Sequence, residues 1–117
     1  LVVDDEERIL TVGKEICKAL GYEVTTASSG QEAIEKYKAH KNKYTIVILD
    51  MIMPDMGGAE TFKQLRRIDP QVRVLLSSGY SIAGQANEIL SQGCRGFIQK
   101  PFSIHDLSAK VRDILDQ

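Results

Sequence analysis

A chain of 117 residues with 43% hydrophobic and 26% charged side chains can bury one packed core, and its net charge of −1 argues against a nucleic-acid surface spread over the domain. No run approaches the length of a membrane span and no signal peptide is visible. Cys17 and Cys94 form neither a C-x-x-C nor a zinc pattern. Inert buried thiols in a reducing cytosol fit that usage, so a cytoplasmic domain without membrane or nucleic-acid contact of its own is expected. The start at Leu1-Val2-Val3-Asp4-Asp5, already inside a strand, reads as a domain cut from a longer protein or as a chain missing N-terminal residues.

Leu1 to Val3 is a truncated strand running into acids. A helix follows from about Glu6 to Leu20, with Ile9, Val12, Ile16 and Ala19/Leu20 on one face and Gly21 as its stop. Tyr22 to Ala27 is β-prone with mixed polarity, which suits a less buried strand. Ser29-Gly30-Gln31-Glu32 has capping-box spacing and opens a helix carrying Ala33, Ile34 and Tyr37. Tyr44 to Leu49 is nearly all apolar, as parallel strands covered on both faces are.

The spacing then predicts a helix over Gly58 to Ile68, with Phe62, Leu65 and Ile68 on one side and Asp69-Pro70 closing it. Arg66-Arg67 reads as part of its solvated face. Val72 to Leu76 is a fourth strand, Ile82 to Leu90 a weaker helix, and Gly96 to Ile98 a short fifth strand before Lys100-Pro101. Ser103 caps a last helix carrying Ile104, Leu107, Val111 and Ile114/Leu115. His40 and His105 have no partner pattern and read as solvated surface.

Five βα units in 117 residues imply a doubly wound α/β sandwich, a single domain over 1–117 with a five-stranded parallel sheet joined by right-handed crossovers. The flavodoxin-like order 2-1-3-4-5 matches this size, and sites in such sheets sit at the carboxyl ends of the strands, near the switch point.

The strand ends are unusual. They carry Asp4-Asp5, Asp50, Ser77-Ser78-Gly79 and Lys100-Pro101. Taken singly, Asp4-Asp5 reads as a helix cap, Asp50 as a cap or loop terminator, Ser77-Ser78 as a turn and Lys100-Pro101 as a loop entry. Together they would converge in a 2-1-3-4-5 sheet. Three converging carboxylates repel, and need raised pKa values or a cation; Mg²⁺, which prefers carboxylates, waters and phosphate oxygens, suits them. With the Lys100 ammonium and the Ser78 hydroxyl this is a phosphoryl-handling inventory, in which a carboxylate can serve as nucleophile.

"LVVDDE", "VILDMIMPDMGG", "LLSSGYS" and "GFIQKPFS" resemble, in order, the signature segments of response-regulator receiver domains of two-component systems, across essentially the whole chain. The resemblance implies that Asp50 is the phosphoacceptor, supplied by a phosphohistidine on a histidine kinase or histidine phosphotransfer domain. It implies Mg²⁺ (Mn²⁺ as an alternative) on Asp5 and Asp50 directly, on Asp4 through water, and on the backbone carbonyl of Ile52. Ser78 matches the Ser/Thr switch position, Phe97 the aromatic switch position, and Lys100 the phosphate-contacting lysine. Pro101 matches a proline often preceded by a cis bond. An effector domain or protein would read the face made by the fourth helix, fifth strand and fifth helix.

The chain departs from the family's commoner residues at three positions. Gly79 follows Ser78 where Ala is more usual, Gly57 stands before the turn glycine Gly58 where a polar residue is common, and Phe97 lacks a tyrosine hydroxyl.

Ile52 and Tyr80 flank the site two residues beyond Asp50 and Ser78 and cannot readily orient a hydrolytic water, which implies slow self-dephosphorylation; the alternative is that Ile52 merely packs under a loop. The domain would be an acceptor that also loses its own phosphoryl group, not a turnover enzyme. The wording of "LLSSGYS" and "QKPFS" is most similar to receivers attached to hybrid sensor histidine kinases, so the parent could be a membrane-anchored kinase, with stand-alone and transcription-factor receivers as the alternatives.

Two rivals remain open from the sequence. A phosphorylation-independent pseudo-receiver would signal by protein contact, against which the complete acid, Ser and Lys set argues. An aspartyl-nucleophile phosphatase would call for an acid where Ile52 stands. No G-x-G-x-x-G or Walker A pattern follows the first strand.

Overall fold

The computed structural model describes residues 1–40, 43–51, 53, 56–78, 93–100 and 102–116. The helix expected over Ile82 to Leu90 lies outside the described residues, as do Ile52, Gly79, Tyr80 and Pro101. In chain order the elements are β1 (Val2–Val3), α1 (Glu7–Ala19), β2 (Thr26–Ala27), α2 (Gly30–Ala39), β3 (Val47–Asp50), α3 (Gly58–Ile68), β4 (Val74–Ser78), β5 (Gly96–Gln99) and α4 (Ile104–Leu115).

The five strands form one sheet in the order β2-β1-β3-β4-β5, and every neighbouring pair is parallel. Every residue of β3 and β4 is buried because helices cover both faces. Alternate residues of a strand point to opposite faces, and the core divides accordingly. Val3, Val47, Leu49, Val74 and Leu76 pack with Ala33, Ile34 and Tyr37 of α2 and with Phe62 and Leu65 of α3. Val2, Ile48, Leu75 and Ile98 pack on the other face with Cys17 of α1 and with Leu107, Val111 and Ile114 of α4. Both cysteines are buried, and burial pushes both thiols up.

The helix ends follow local chemistry. Gly21 takes φ +92, Gly21 N–H donates to Lys18 O at 3.0 Å, and Tyr22 N–H donates to Cys17 O at 3.0 Å, which closes α1 in a Schellman turn. Ser29 caps α2 by accepting from Glu32 N–H at 3.1 Å. The return arm is shifted by one residue: Glu32 Oε2 accepts from the backbone and hydroxyl of Ser28, at 3.3 and 2.9 Å. Ser103 caps α4 through Asp106 N–H at 3.1 Å.

Several boundaries differ from the sequence expectation. Only Thr26–Ala27 of the predicted second strand pairs, because β2 is an edge strand whose sole partner, β1, offers the ladder Val2–Val3. The fourth strand runs Val74–Ser78 and not Val72–Leu76, since its ladder with β3 continues to Asp50↔Ser77. The buried stripe of α1 is Gly13 and Cys17 flanked by Leu10 and Ile16, whereas Val12 is exposed. Gly13 explains the rotation: a Cβ there would stand 3.2 Å from Val2 Cγ1, so the helix rests on the sheet at its glycine. Ile104, expected on the inner face of α4, is exposed too.

Candidate functional site

The register of the sheet builds the site. Val3 pairs with Leu49, so Asp4 follows β1 beside Asp50, the last residue of β3. Met51 N–H donates to Ser77 O at 2.9 Å and Lys100 N–H to Ser78 O at 2.7 Å, which extends the pairing beyond each strand end. The ends are therefore held by the same ladders that bury the apolar runs, and Asp50 is held rigidly at the centre of the sheet.

Lys100 Nζ lies 2.9 Å from Asp4 Oδ2 and 3.1 Å from Asp50 Oδ1. Asp4 and Asp50 are 1% and 3% exposed, and Asp5 is exposed. The other Asp4 oxygen, Oδ1, accepts from Glu6 N–H at 2.9 Å, so both oxygens of Asp4 are engaged. Burial by itself would lower the Lys100 pKa, but its bonds to Asp4 and Asp50 outweigh that and hold the ammonium above its ordinary value. Carboxylates buried this deeply persist only when paired.

One carboxylate oxygen from each of Asp4, Asp5 and Asp50 lies within 4.8 Å of the others. Among the described residues, the Lys100 ammonium faces three carboxylates, an excess of negative charge. The donors are all hard oxygens, without sulfur or imidazole, and the cluster fits Mg²⁺.

Ser77 and Ser78 are 2% and 1% exposed. Ser77 is paired with Asp50, and Ser78 with Gln99. Leu76 pairs with Phe97, so Ser78 and Phe97 share one face of the sheet on neighbouring strands. Phe97 is partly buried against the cluster that contains Leu49 and Leu76. Thus Asp4, Asp5, Asp50 and Lys100 come together, with Ser78 at the next strand end and Phe97 on the sheet face beside it. His40, His105, Arg66 and Arg67 are exposed.

Sequence reasoning missed one contact here. Gly58, read as a turn glycine, donates its N–H to Met51 O at 2.8 Å and sits directly on the backbone after Asp50. The Gly57-Gly58 pair was the available signal, but nothing in it distinguishes the two positions.

Comparison with known proteins gives a consistent result. A family model described as the response regulator receiver domain matches residues 1–112. The chemotaxis protein CheY of Thermotoga maritima is 37% identical over 103 residues, 87% of this chain and 84% of that protein. The sensor kinase CckA of Brucella abortus is 32% identical over 117 residues, 100% of this chain, which spans 12% of CckA's length. A crystal structure of the CheX–CheY–BeF₃–Mg²⁺ complex of Borrelia burgdorferi superposes with a TM-score of 0.93 at 29% identity, covering 97% of this chain and 85% of that one. Among the described residues no helix is long and apolar enough to cross a membrane.

Proposed function

Because the chain belongs to the response regulator receiver domain family, whose members act in phosphorelay signalling with histidine kinases and effector domains, we propose that Asp50 is its phosphoacceptor. The observation that carries this reading is Lys100, held between the buried carboxylates of Asp4 and Asp50 with Asp5 beside them. An Asp50 oxygen attacks the phosphorus of a donor phosphohistidine in line. The O–P bond forms as the P–N bond breaks, and the electron pair leaves on the imidazole nitrogen.

Lys100 exchanges its contact with Asp50 for a phosphoryl oxygen and offsets the charge there. Mg²⁺, or Mn²⁺ in its place, would be held by Asp5, Asp50 and the Ile52 carbonyl, with Asp4 acting through water, and would neutralise phosphoryl oxygens. The Borrelia relative was crystallised with Mg²⁺ and BeF₃, which supports that assignment. The Ser78 hydroxyl then donates to a phosphoryl oxygen, and Phe97 turns into the space it leaves. Each ~1.4 kcal/mol of preference for one packing over the other changes their ratio tenfold. The face expected to present the outcome to an effector includes β5 and α4, together with the segment from Ile82 to Leu90 that lies outside the described residues.

The Ile52 and Tyr80 side chains favour a long-lived phosphoryl group. The domain works in the cytoplasm, and a hybrid histidine kinase is the parent that its wording supports. The pseudo-receiver alternative is not favoured, because the chain carries the full set of Asp4-Asp5, Asp50, Ser78 and Lys100.

Intact mass after incubation with Mg²⁺ and a small phosphodonor tests the proposal. Wild type should gain one phosphoryl group and Asp50→Ala none. No adduct with any donor or cognate kinase, or an adduct that persists in Asp50→Ala, would refute it.

A further inference from the structure

Gly57 and Gly58 are neighbours in sequence but not in circumstance. A Cβ on Gly57 would meet Met51 O at an ordinary 3.6 Å. A Cβ on Gly58 would stand 2.6 Å from Asp50 O, 2.7 Å from Met51 Cα and 3.2 Å from Asp50 C. Every one of those atoms is backbone, so no side chain can swing aside.

Neither partner has room to yield. Asp50 lies in the β3–β4 ladder opposite Ser77, and Met51 N–H is bonded to Ser77 O at 2.9 Å. On the helix side, Gly58 N–H is bonded to Met51 O at 2.8 Å, and Phe62 and Leu65 are 1% and 0% exposed in the core. The first turn of α3 is held from a third direction by Thr61, which is 0% exposed. Its hydroxyl donates to Gly57 O at 3.0 Å, and it packs so closely on Gly30 at the start of α2 that a Cβ there would collide with Thr61 Oγ1.

We infer that Gly58 is a positioning residue for Asp50: its missing side chain seats the start of α3 on the Asp50–Met51 peptide and so fixes where the Asp50 carboxylate stands against Asp4 and Lys100. This rests on Asp50 being the acceptor. Relieving the contact of Gly58→Ala to an ordinary 3.4 Å requires a shift of roughly 0.8 Å, and displacements near 1 Å in a reacting group cost up to about a hundredfold in rate.

The test compares Gly58→Ala with Gly57→Ala and with Leu65→Val, a core change on the same helix. Three quantities are measured on the full chain: urea stability, phosphorylation rate per folded molecule with acetyl phosphate and Mg²⁺, and the ¹³Cγ resonance of Asp50. Gly58→Ala should slow phosphorylation about ten- to a hundredfold and move the resonance. Gly57→Ala and Leu65→Val should stay within about twofold of wild type, with the resonance in place, whatever stability Leu65→Val loses.

A folded Gly58→Ala with wild-type rate and resonance overturns the inference. If Gly58→Ala does not fold, Thr61→Val, which loses the bond to Gly57 O, should slow phosphorylation several-fold, and a wild-type rate there overturns it equally. If wild type itself takes no phosphoryl group, the role of Asp50 fails, and the resonance alone still decides whether Gly58 positions it.

Discussion

Replacing Lys100 by Met removes the ammonium that pairs with both buried acids, Asp4 and Asp50. The Lys100, Asp4 and Asp50 side chains are 11%, 1% and 5% exposed, so solvent screens these pairs little. Breaking a buried pair by deleting one partner costs about 3–5 kcal/mol. A separate route agrees: carboxylate oxygens within 4.8 Å of one another repel by roughly 3.5 kcal/mol or more at an effective dielectric constant near 20. Lys100→Met should therefore lose about 3 kcal/mol near neutral pH without divalent cations, a large share of the ~5–15 kcal/mol typical of a domain.

The pH dependence has a definite sign. In wild type the raised pKa of Lys100 adds stability that is present below the ordinary 10.5 and lost as pH rises above it. A cation at about a hundred times its dissociation constant adds ~2.7 kcal/mol, and more of the deficit should be recovered by Mg²⁺ in the variant than wild type gains. Urea unfolding followed by circular dichroism, in EDTA and in Mg²⁺ across pH, measures all three effects. A variant within about 0.5 kcal/mol of wild type in EDTA would show that Lys100 does not neutralise the buried acids, and the reasoning would fail.

Two further substitutions probe the helical layer beside the site. Tyr37, 2% exposed, donates its hydroxyl to Asp69 Oδ2 at 2.8 Å, so Tyr37→Phe should lose about 1–2 kcal/mol in urea unfolding. Burial, and then the bond to Asp69, raise the Tyr37 pKa above the ordinary 10.0; its stabilisation is complete below that value and lost above it, and the variant's alkaline decline should be shallower. Gly30→Ala tests packing against propensity: helix propensity alone promises a gain near 1 kcal/mol, but the added carbon collides with Thr61 Oγ1, so thermal unfolding should show a net loss. A raised midpoint would contradict the close packing of α2 on α3.

The sheet was legible because its central strands are covered on both faces and read as continuous apolar runs. β3 and β4 declare themselves that way, and the polar residues that end them stand out. The edge was less legible: Tyr22 to Val24 look β-prone, yet pairing at β2 is set by the partner strand. Two other misjudgements have one cause. Periodicity finds helix faces by their large apolar residues, so the stripe of α1 was placed on Ile9 and Val12, although the helix rests on the sheet at Gly13. The contact of Gly58 with Asp50 escaped in the same way. A glycine that allows two backbones to meet adds nothing to a hydrophobic pattern, and its meaning lies in atoms that only the folded chain brings near.

The acidic pair shows how far strand phase can divide labour between adjacent identical residues. Residue type and spacing alone do not tell Asp4 from Asp5; only the family resemblance assigns Asp5 the direct and Asp4 the water-mediated role. In the fold Asp4 turns inward, with one oxygen committed to Glu6 N–H and the other to Lys100, and Asp5 faces solvent. Asp4 thus anchors the lysine and the entry to α1, and a direct metal bond would compete with contacts already made. On the proposed reading a bound cation would be held by Asp5 and Asp50, which leaves Asp4 free to keep its bond to Lys100. Lys100 would then keep Asp4 and give up its contact with Asp50 to a phosphoryl oxygen, so the same ammonium serves first to offset the buried acids and then to offset the transferred charge.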